Sequence, residues 1–330
     1  MNNRENDTTD DASRTEPGSE PGSEPGGKDG TVDPGAEGGA DHRSGYVALL
    51  GKPNVGKSTL LNSILGQKLS IVTRRPQTTR HRVLGILSSE NSQIIFLDTP
   101  GIIESRYGLH RAMMRAVDVA IDDADLLLFL ADATQDTPDT FSLSRLPKKP
   151  AVLVVNKTDL MDKLQVLPLV QAYSDLRQFD AVVPVSALTG YQVDVLLNEI
   201  LSRLPLGPAL YPKDMISEHP ERFFVAEIIR EKIFEQYRKE IPYSTQVNVV
   251  AFAEVDGKKD VVDAEIVVER QTQKGIIIGK GGTALKRVGV AARKDIEAFL
   301  GRPVYLRLFV KVREGWRDQS SLLRSYGYEG

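Results

Sequence analysis

The sequence predicts an α/β domain with a mostly parallel sheet covered by helices on both faces, followed by a smaller α+β domain. Three observations carry this prediction. Short apolar runs alternate with helical patterns from Tyr46 onward, a glycine-rich turn joins the first run to the first helix, and the order αββααβ follows the prolines at Pro205 and Pro208. At 330 residues with 41% apolar side chains, the chain is long enough for two cores.

Residues 1 to 44 hold 11 acidic and 4 basic side chains, lack aromatics and repeat Gly-Ser-Glu-Pro between Gly18 and Pro25. Such a segment buries too little surface to offset the entropy of ordering, and we expect a disordered acidic tail. The runs Tyr46 to Leu50, Ile94 to Leu97, Leu126 to Ala131, Ala151 to Val155 and Ala181 to Val185 read as buried strands. Between Ile71 and Leu97 only the turn Ser88 to Ser92 separates two strand-like runs, too little for a crossover helix. The pair is therefore expected as an antiparallel hairpin at the sheet edge. A helix from Val193 ends where Pro205-Leu206-Gly207-Pro208 forbids continuation. The expected division is a first domain over 45–207, a linker over 208–215 and a second domain with a C-terminal tail over 216–330.

In the second domain the pattern reads as a helix near Pro220 to Tyr237, strands Thr245 to Glu254 and Val262 to Thr272, two helices around Gly289, and a strand Pro303 to Arg313. Ser320 to Tyr328 reads as a short helical tail.

Composition excludes several classes of chemistry. There is no cysteine and the four histidines are scattered singly, so no disulfide frame or Cys/His metal cage can form. No apolar run reaches the roughly 20 residues of a membrane span, and the N-terminus lacks a signal-peptide pattern, so a soluble, reducing compartment is expected. The net charge of −3 is uneven: residues 270–317 hold 12 basic and 3 acidic side chains, where a polyanion would bind.

Gly51-Lys52-Pro53-Asn54-Val55-Gly56-Lys57-Ser58 is a complete G-x-x-x-x-G-K-S between a strand and a helix. Its backbone N–H groups and the helix N-terminus suit phosphates, so Gly51 to Thr59 are expected nucleotide contacts. Lys57 should reach the β and γ phosphates and Ser58 should ligate Mg²⁺. Asp98-Thr99-Pro100-Gly101 ends a strand, where Asp98 would hold Mg²⁺ through water and the Gly101 N–H could sense the γ-phosphate. Asn156-Lys157-Thr158-Asp159 is the set that reads guanine. Asp159 accepts from N1–H and the exocyclic amine, Asn156 donates to the other edge and braces neighbouring loops, and Lys157 lies over the base plane. Adenine would leave that carboxylate unpaired, a mismatch worth roughly 10⁴ in discrimination. In Ser186-Ala187-Leu188 the Ala187 N–H can donate to guanine O6.

With these motifs in this order, each at the C-terminal end of a strand, the chain resembles the translation-factor class of P-loop GTPases, which implies GTP and GDP as ligands with Mg²⁺. Gln77-Thr78-Thr79-Arg80-His81 resembles that class's effector loop, implying that Thr79, or Thr78 in its place, closes on Mg²⁺ in the triphosphate state. Where many GTPases carry a catalytic glutamine this chain has Ile102, which has no hydrogen-bonding group. The P-loop resembles those in which the asparagine at Asn54 helps hold K⁺ beside the phosphates, so Asn54 joins Lys57, Thr79 and Gly101 as candidate catalytic residues.

Gly279-Lys280-Gly281-Gly282 is a GXXG loop of the kind KH domains use to clamp a nucleic-acid backbone. Lys274, Ile278, Lys286 and Arg287 join it as expected RNA contacts, although the basic residues of the following helix could equally be its solvated face. A D-T-P-G GTPase followed by a type II KH domain, with Gly315-Trp316-Arg317 near the end, resembles the bacterial Era family over about Gly45 to Tyr328. The resemblance implies a GTPase that binds the 3′ end of 16S ribosomal RNA in 30S subunit maturation, a cytoplasmic monomer with peripheral association at the inner face of the plasma membrane. Two readings stay open: an enzyme that times RNA binding by hydrolysis, or an RNA chaperone whose first domain senses nucleotide. In both, GTP would order the loop around Thr79 and shift the KH domain through the linker Pro205 to Pro212.

Overall fold

The structure, a computed structural model, describes residues 41–254 and 257–328. The acidic tail expected over 1–44 lies outside the described residues up to position 40. Its last two positions are a correction, because Arg43 and Ser44 are already in a strand.

The first half contains strands β1 (Arg43–Leu50), β2 (Val83–Ser88), β3 (Ser92–Asp98), β4 (Leu126–Asp132), β5 (Ala151–Asn156) and β6 (Ala181–Pro184). Their order in the sheet is β2-β3-β1-β4-β5-β6, with every pair parallel except the edge pair β2 and β3, the expected hairpin. Helices α1 (Lys57–Leu65), α2 (Gly108–Asp123), α3 (Thr140–Leu143), α4 (Lys163–Leu176) and α5 (Val193–Arg203) connect the strands. Burial on both faces explains why β4 and β5 read as unbroken apolar runs, since Leu127, Phe129 and Leu153 fill one core and Leu126, Leu128 and Val152 the other.

The second half contains α6 (Glu221–Gln236), β7 (Gln246–Ala253), β8 (Asp260–Val268), α7 (Gln271–Ile278), α8 (Thr283–Leu300), β9 (Val304–Val312) and α9 (Ser320–Ser325). β7 runs antiparallel and β9 parallel to β8, and α6, α7 and α8 pack on the sheet through Val225, Ile229, Ile277, Val288 and Ile296. Two expectations need correction. The strand expected to Thr272 stops at Val268, because the Glu269 and Arg270 N–H groups both donate to Gln273 Oε1 at 3.0 Å and start α7. The two expected helices flank residues 279–282 and not Gly289, which lies inside α8. A Cβ at Gly289 would stand 3.4 Å from Leu308 Cδ1, so the glycine serves close helix-to-strand packing instead of a break.

The linker is pinned to the first sheet. Gln93 bonds Leu210 N, Tyr211 N and Tyr211 O at 2.7–2.9 Å, and the Ile86 N–H donates to Ile216 O at 2.8 Å. All described residues belong to one compact unit. The C-terminal segment joins its halves: Trp316, Leu323 and Tyr328 are buried in the same core as Leu109, Met113 and Val117 of α2. The Trp316 indole N–H donates to Ser244 O at 2.9 Å, and the Tyr328 hydroxyl donates to Gln246 Oε1 at 2.7 Å.

Candidate functional site

A cavity of about 980 Å³ lies at the C-terminal ends of the parallel strands. The expected residues Pro53, Asn54, Gly56, Lys57, Ser58, Thr59, Thr79, Gly101, Asn156, Lys157, Asp159, Ala187 and Leu188 all line it. The strand-to-helix turn that forms its floor depends on Gly56, whose φ of 101° and whose missing Cβ, 2.1 Å from Asn156 Nδ2, exclude any other side chain. Lys57 folds back over this turn and donates to Gly51 O at 3.1 Å and Lys52 O at 2.9 Å. Burial pushes its pKa down to about 8, against the attraction of Asp98 and Asp139. The bound phosphates of a nucleotide would relieve that cost by pairing the ammonium.

Ser58, Thr79 and Asp98 converge. Ser58 Oγ donates to Asp98 Oδ2 at 2.7 Å and lies 2.9 Å from Thr79 Oγ1, and all three side chains are buried. Asp98 Oδ1 has no hydrogen-bond partner, and burial raises the Asp98 pKa in spite of the Ser58 and Lys57 contacts. An orphaned carboxylate oxygen beside two hydroxyls is a hard-oxygen donor set that fits Mg²⁺ completed by phosphate and water. Of the two threonines left open, Thr79 is the one aimed at this site. Thr99 has a structural part, donating from Oγ1 to Leu49 O at 2.6 Å.

The guanine end is tied together by Asn156. Its Nδ2 donates to Val55 O at 2.8 Å and its Oδ1 accepts the Ala187 N–H at 2.9 Å. Both groups expected at the base are engaged within the protein: the Asn156 amide bridges the P-loop and the Ser186–Leu188 loop, and the Ala187 N–H donates to that amide. Asp159 stays exposed and accepts from Ser186 Oγ at 2.6 Å through one oxygen, leaving the other toward the cavity. Lys157 adopts φ 67° and pairs with Asp132 at 2.6 Å. Burial works to raise the Asp132 pKa, but Lys157 and the Thr134 hydroxyl and N–H together outweigh it and the net shift is downward. Ile102 is 2% exposed, and its side chain packs into the core that α2 covers.

Sequence reasoning missed how the segment around Thr79 is held. On one side of it, Arg230 of α6 donates to Thr78 O; on the other, Arg80 reaches Thr245 O at 2.7 Å, Pro242 O at 2.9 Å and Tyr243 O at 3.1 Å. Both guanidinium groups are buried, and both lie over the Phe234 ring, at 5.9 Å for Arg80 and 5.4 Å for Arg230. His81 stacks on Tyr328 with ring centroids 4.2 Å apart. Partners 150 or more positions apart leave no local pattern; an arginine beside the candidate metal ligand was the available signal.

In the second half, Gly279, Gly281 and Gly282 have φ of 72°, 59° and 77°, and a Cβ on Gly279 would stand 2.6 Å from Ala284 Cβ. The loop is therefore open at Lys280, which is exposed, as are Lys286 and Arg287; Lys274 and Ile278 are half-buried beside it. The local charge excess is smaller than the sequence window suggested. Arg302, Arg307, Lys311 and Arg317 pair with Asp260, Asp263, Glu265 and Glu269, which lie outside the window. Among the described residues Lys274, Lys280, Lys286 and Arg287 make no ion pair, so the loop is flanked by unneutralised charge.

Residues 46–157 match the family model described as 50S ribosome-binding GTPase, and residues 240–317 match the KH domain model. The chain is 46% identical over 291 residues to GTPase Era of Syntrophus aciditrophicus (strain SB), covering 87% of this chain and 95% of the relative. The chain belongs to the Era family of GTPases. It is also 52% identical over 298 residues to the chloroplastic GTPase ERA1 of Zea mays, covering 88% of this chain and 72% of that one. A variant of Aquifex aeolicus Era bound to GDP and AlF₄⁻ superposes with a TM-score of 0.84 at 42% identity, covering 87% of this chain and all of that one. An Era in complex with MgGDPNP and nucleotides 1506–1542 of 16S ribosomal RNA gives the same TM-score and identity over 88% of this chain. As an Era-family protein, the chain is a P-loop GTPase with a KH domain.

Proposed function

We propose that the chain hydrolyses GTP to control its grip on the 3′ end of 16S ribosomal RNA during assembly of the small ribosomal subunit. The observation that carries this reading is the placement of Thr79. It reaches the candidate metal site while its two neighbours are held by the RNA-binding half, through Arg230 to Thr78 O and Arg80 to the carbonyls of 242, 243 and 245. A ligand that moves Thr79 must also move, or strain, those contacts.

In this reading Lys57 and the turn Gly51 to Thr59 hold the phosphates, and Ser58, Thr79 and Asp98 hold Mg²⁺. Mg²⁺ supplies charge neutralisation on the transferred phosphoryl group. Asp159 selects guanine. Asn54 donates from Nδ2 to Arg74 O at 3.2 Å and so joins the P-loop to the segment above it, leaving its Oδ1 for a K⁺ ion beside the phosphates. Equal turnover in Na⁺ and K⁺ buffers would sink that last role. Lys280, Lys286 and Arg287 contact the RNA backbone at the 279–282 loop, with Lys274 and Ile278 lining the groove. The protein acts as a cytoplasmic monomer on the 30S subunit. No helix among the described residues is long and apolar enough to cross a membrane, so contact with the plasma membrane would be peripheral.

The test is binding of a 3′-terminal 16S RNA fragment and a scrambled control, each with GDP and with a non-hydrolysable GTP analogue. The expected result is tighter, sequence-selective binding with the analogue, weakened about tenfold in Lys280→Glu without loss of GTP turnover. Equal affinity in both nucleotides would refute the coupling.

A further inference from the structure

We propose that Arg238, carried by the RNA-binding half of the chain, binds the phosphates of the nucleotide. The nucleotide cavity is not walled by the GTPase half alone: Phe234, Glu235 and Arg238, at and just beyond the C-terminal end of α6, complete it. This proposal rests on the reading of that cavity as the guanine-nucleotide site.

The end of α6 is fixed in place by contacts on both sides of the effector segment. Glu231, 1% exposed, accepts the Val72 N–H at 3.2 Å and pairs with Lys68 at 2.5 Å, while Arg230 donates to Thr78 O. These contacts fall on the segment whose Thr79 reaches Ser58 and Asp98. The C-terminal end of α6 therefore borders the cavity next to the segment that carries Thr79.

Arg238 differs from Arg230, Lys232 and Glu235 before it on α6 in having no partner among the described residues. Arg230 is paired with Glu227, Lys232 with Asp295 at 2.7 Å, and Glu235 with Lys232 at 3.2 Å. Among the described residues Arg238 is exposed and makes neither an ion pair nor a hydrogen bond. An unpaired guanidinium at the edge of a cavity for a polyanion has one chemically matched occupant, a phosphate group, which it can bind in bidentate fashion. The contact bonds the RNA-binding half directly to the nucleotide, independently of Thr79. It also adds a cation from that half to a cavity already lined by Lys57, the buried lysine of the P-loop turn.

The experiment uses the full-length protein with Mg²⁺. Affinities for GDP, a non-hydrolysable GTP analogue and guanosine are measured by calorimetry or competition in wild type, Arg238→Ala, Arg238→Lys and Arg238→Glu. Arg238→Ala is expected to weaken both nucleotides about tenfold and Arg238→Glu more, with Arg238→Lys between and guanosine unchanged, because guanosine carries no phosphate. Added salt should narrow the gap between wild type and Arg238→Ala. Nucleotide affinities within twofold of wild type in both Arg238→Ala and Arg238→Glu would overturn the proposal, as would an equal loss for guanosine. A wild type that binds neither nucleotide would overturn the reading of the cavity itself, a result distinguishable from loss of this one contact.

Discussion

Replacing Arg80 by alanine removes the donor to three buried carbonyls, those of Pro242, Tyr243 and Thr245, and a guanidinium 5.9 Å from the Phe234 ring. Each bond from a charged donor contributes about 1.5–3 kcal/mol and the ring contact about 1 kcal/mol. Against this stands the desolvation of a cation that is 2% exposed and forms no ion pair among the described residues, several kcal/mol that the variant no longer bears. The carbonyls left behind cost about 1 kcal/mol or more each unless water reaches them. The net loss should be about 3 kcal/mol, or roughly a 10²-fold shift toward an opened interface. Since the contact joins the halves, the loss should appear as local opening and not as global unfolding. Amide hydrogen exchange of the full-length protein reads this directly. Residues 72–80 and 242–246 should exchange roughly 10²-fold faster while β4 and β5 keep their protection. Arg80→Lys, whose single ammonium cannot span the three acceptors, should recover less than half of the loss. Exchange within threefold of wild type in both segments, or RNA affinity in Arg80→Ala that keeps its full dependence on nucleotide, would refute the argument that this contact couples the two sites.

Asp159→Asn replaces an acceptor with a mixed donor and acceptor, so guanine nucleotide affinity should fall by roughly 10²-fold or more while xanthine nucleotides gain; a competition assay in which GDP still wins refutes it. Ser58→Ala removes the hydroxyl that bonds Asp98 and Thr79, and GDP affinity should lose most of its dependence on Mg²⁺ when measured with and without EDTA; an unchanged dependence places the metal elsewhere. His110 is 5% exposed against Tyr107, its Nε2 has no partner, and burial with the charges of Arg317, Arg80 and Arg106 pushes its pKa down to about 4 in spite of the Glu104 backbone. The unfolded chain then takes up the proton first as pH falls. The stability held in the neutral ring is complete above about pH 6.5 and lost as pH drops toward 4, on the order of 3 kcal/mol at most. Denaturant titrations of His110→Phe between pH 4 and 7 should show a shallower pH slope than wild type, and an equal slope removes His110 as the cause.

The nucleotide motifs were legible because their chemistry is local. A P-loop needs its glycines, lysine and serine in one contiguous turn, and each strand before a motif announces itself by burial on both faces. The stretch Glu269 to Thr272 was misread as the end of a strand that stops at Val268. The Gln273 side chain, by engaging two backbone N–H groups, starts a helix there instead. The charge window erred for the reason that pairing in a sheet crosses sequence: Arg307 and Lys311 on β9 face Asp263 and Glu265 on β8, more than 40 positions earlier. Arg80 and Arg230 carried no readable role because their meaning lies in contacts between halves of the chain separated by about 150 residues.

The burial of Trp316, Leu323 and Tyr328 against α2 and His81 bears on the order in which the protein can be completed on the ribosome. The GTPase sheet emerges well before the ring that stacks on its effector segment and the side chains that close one of its cores. During synthesis that apolar face stays open for more than 200 residues of elongation, or roughly 10–40 s at ordinary translation rates. A nascent chain stalled short of Trp316 would expose it as a chaperone target.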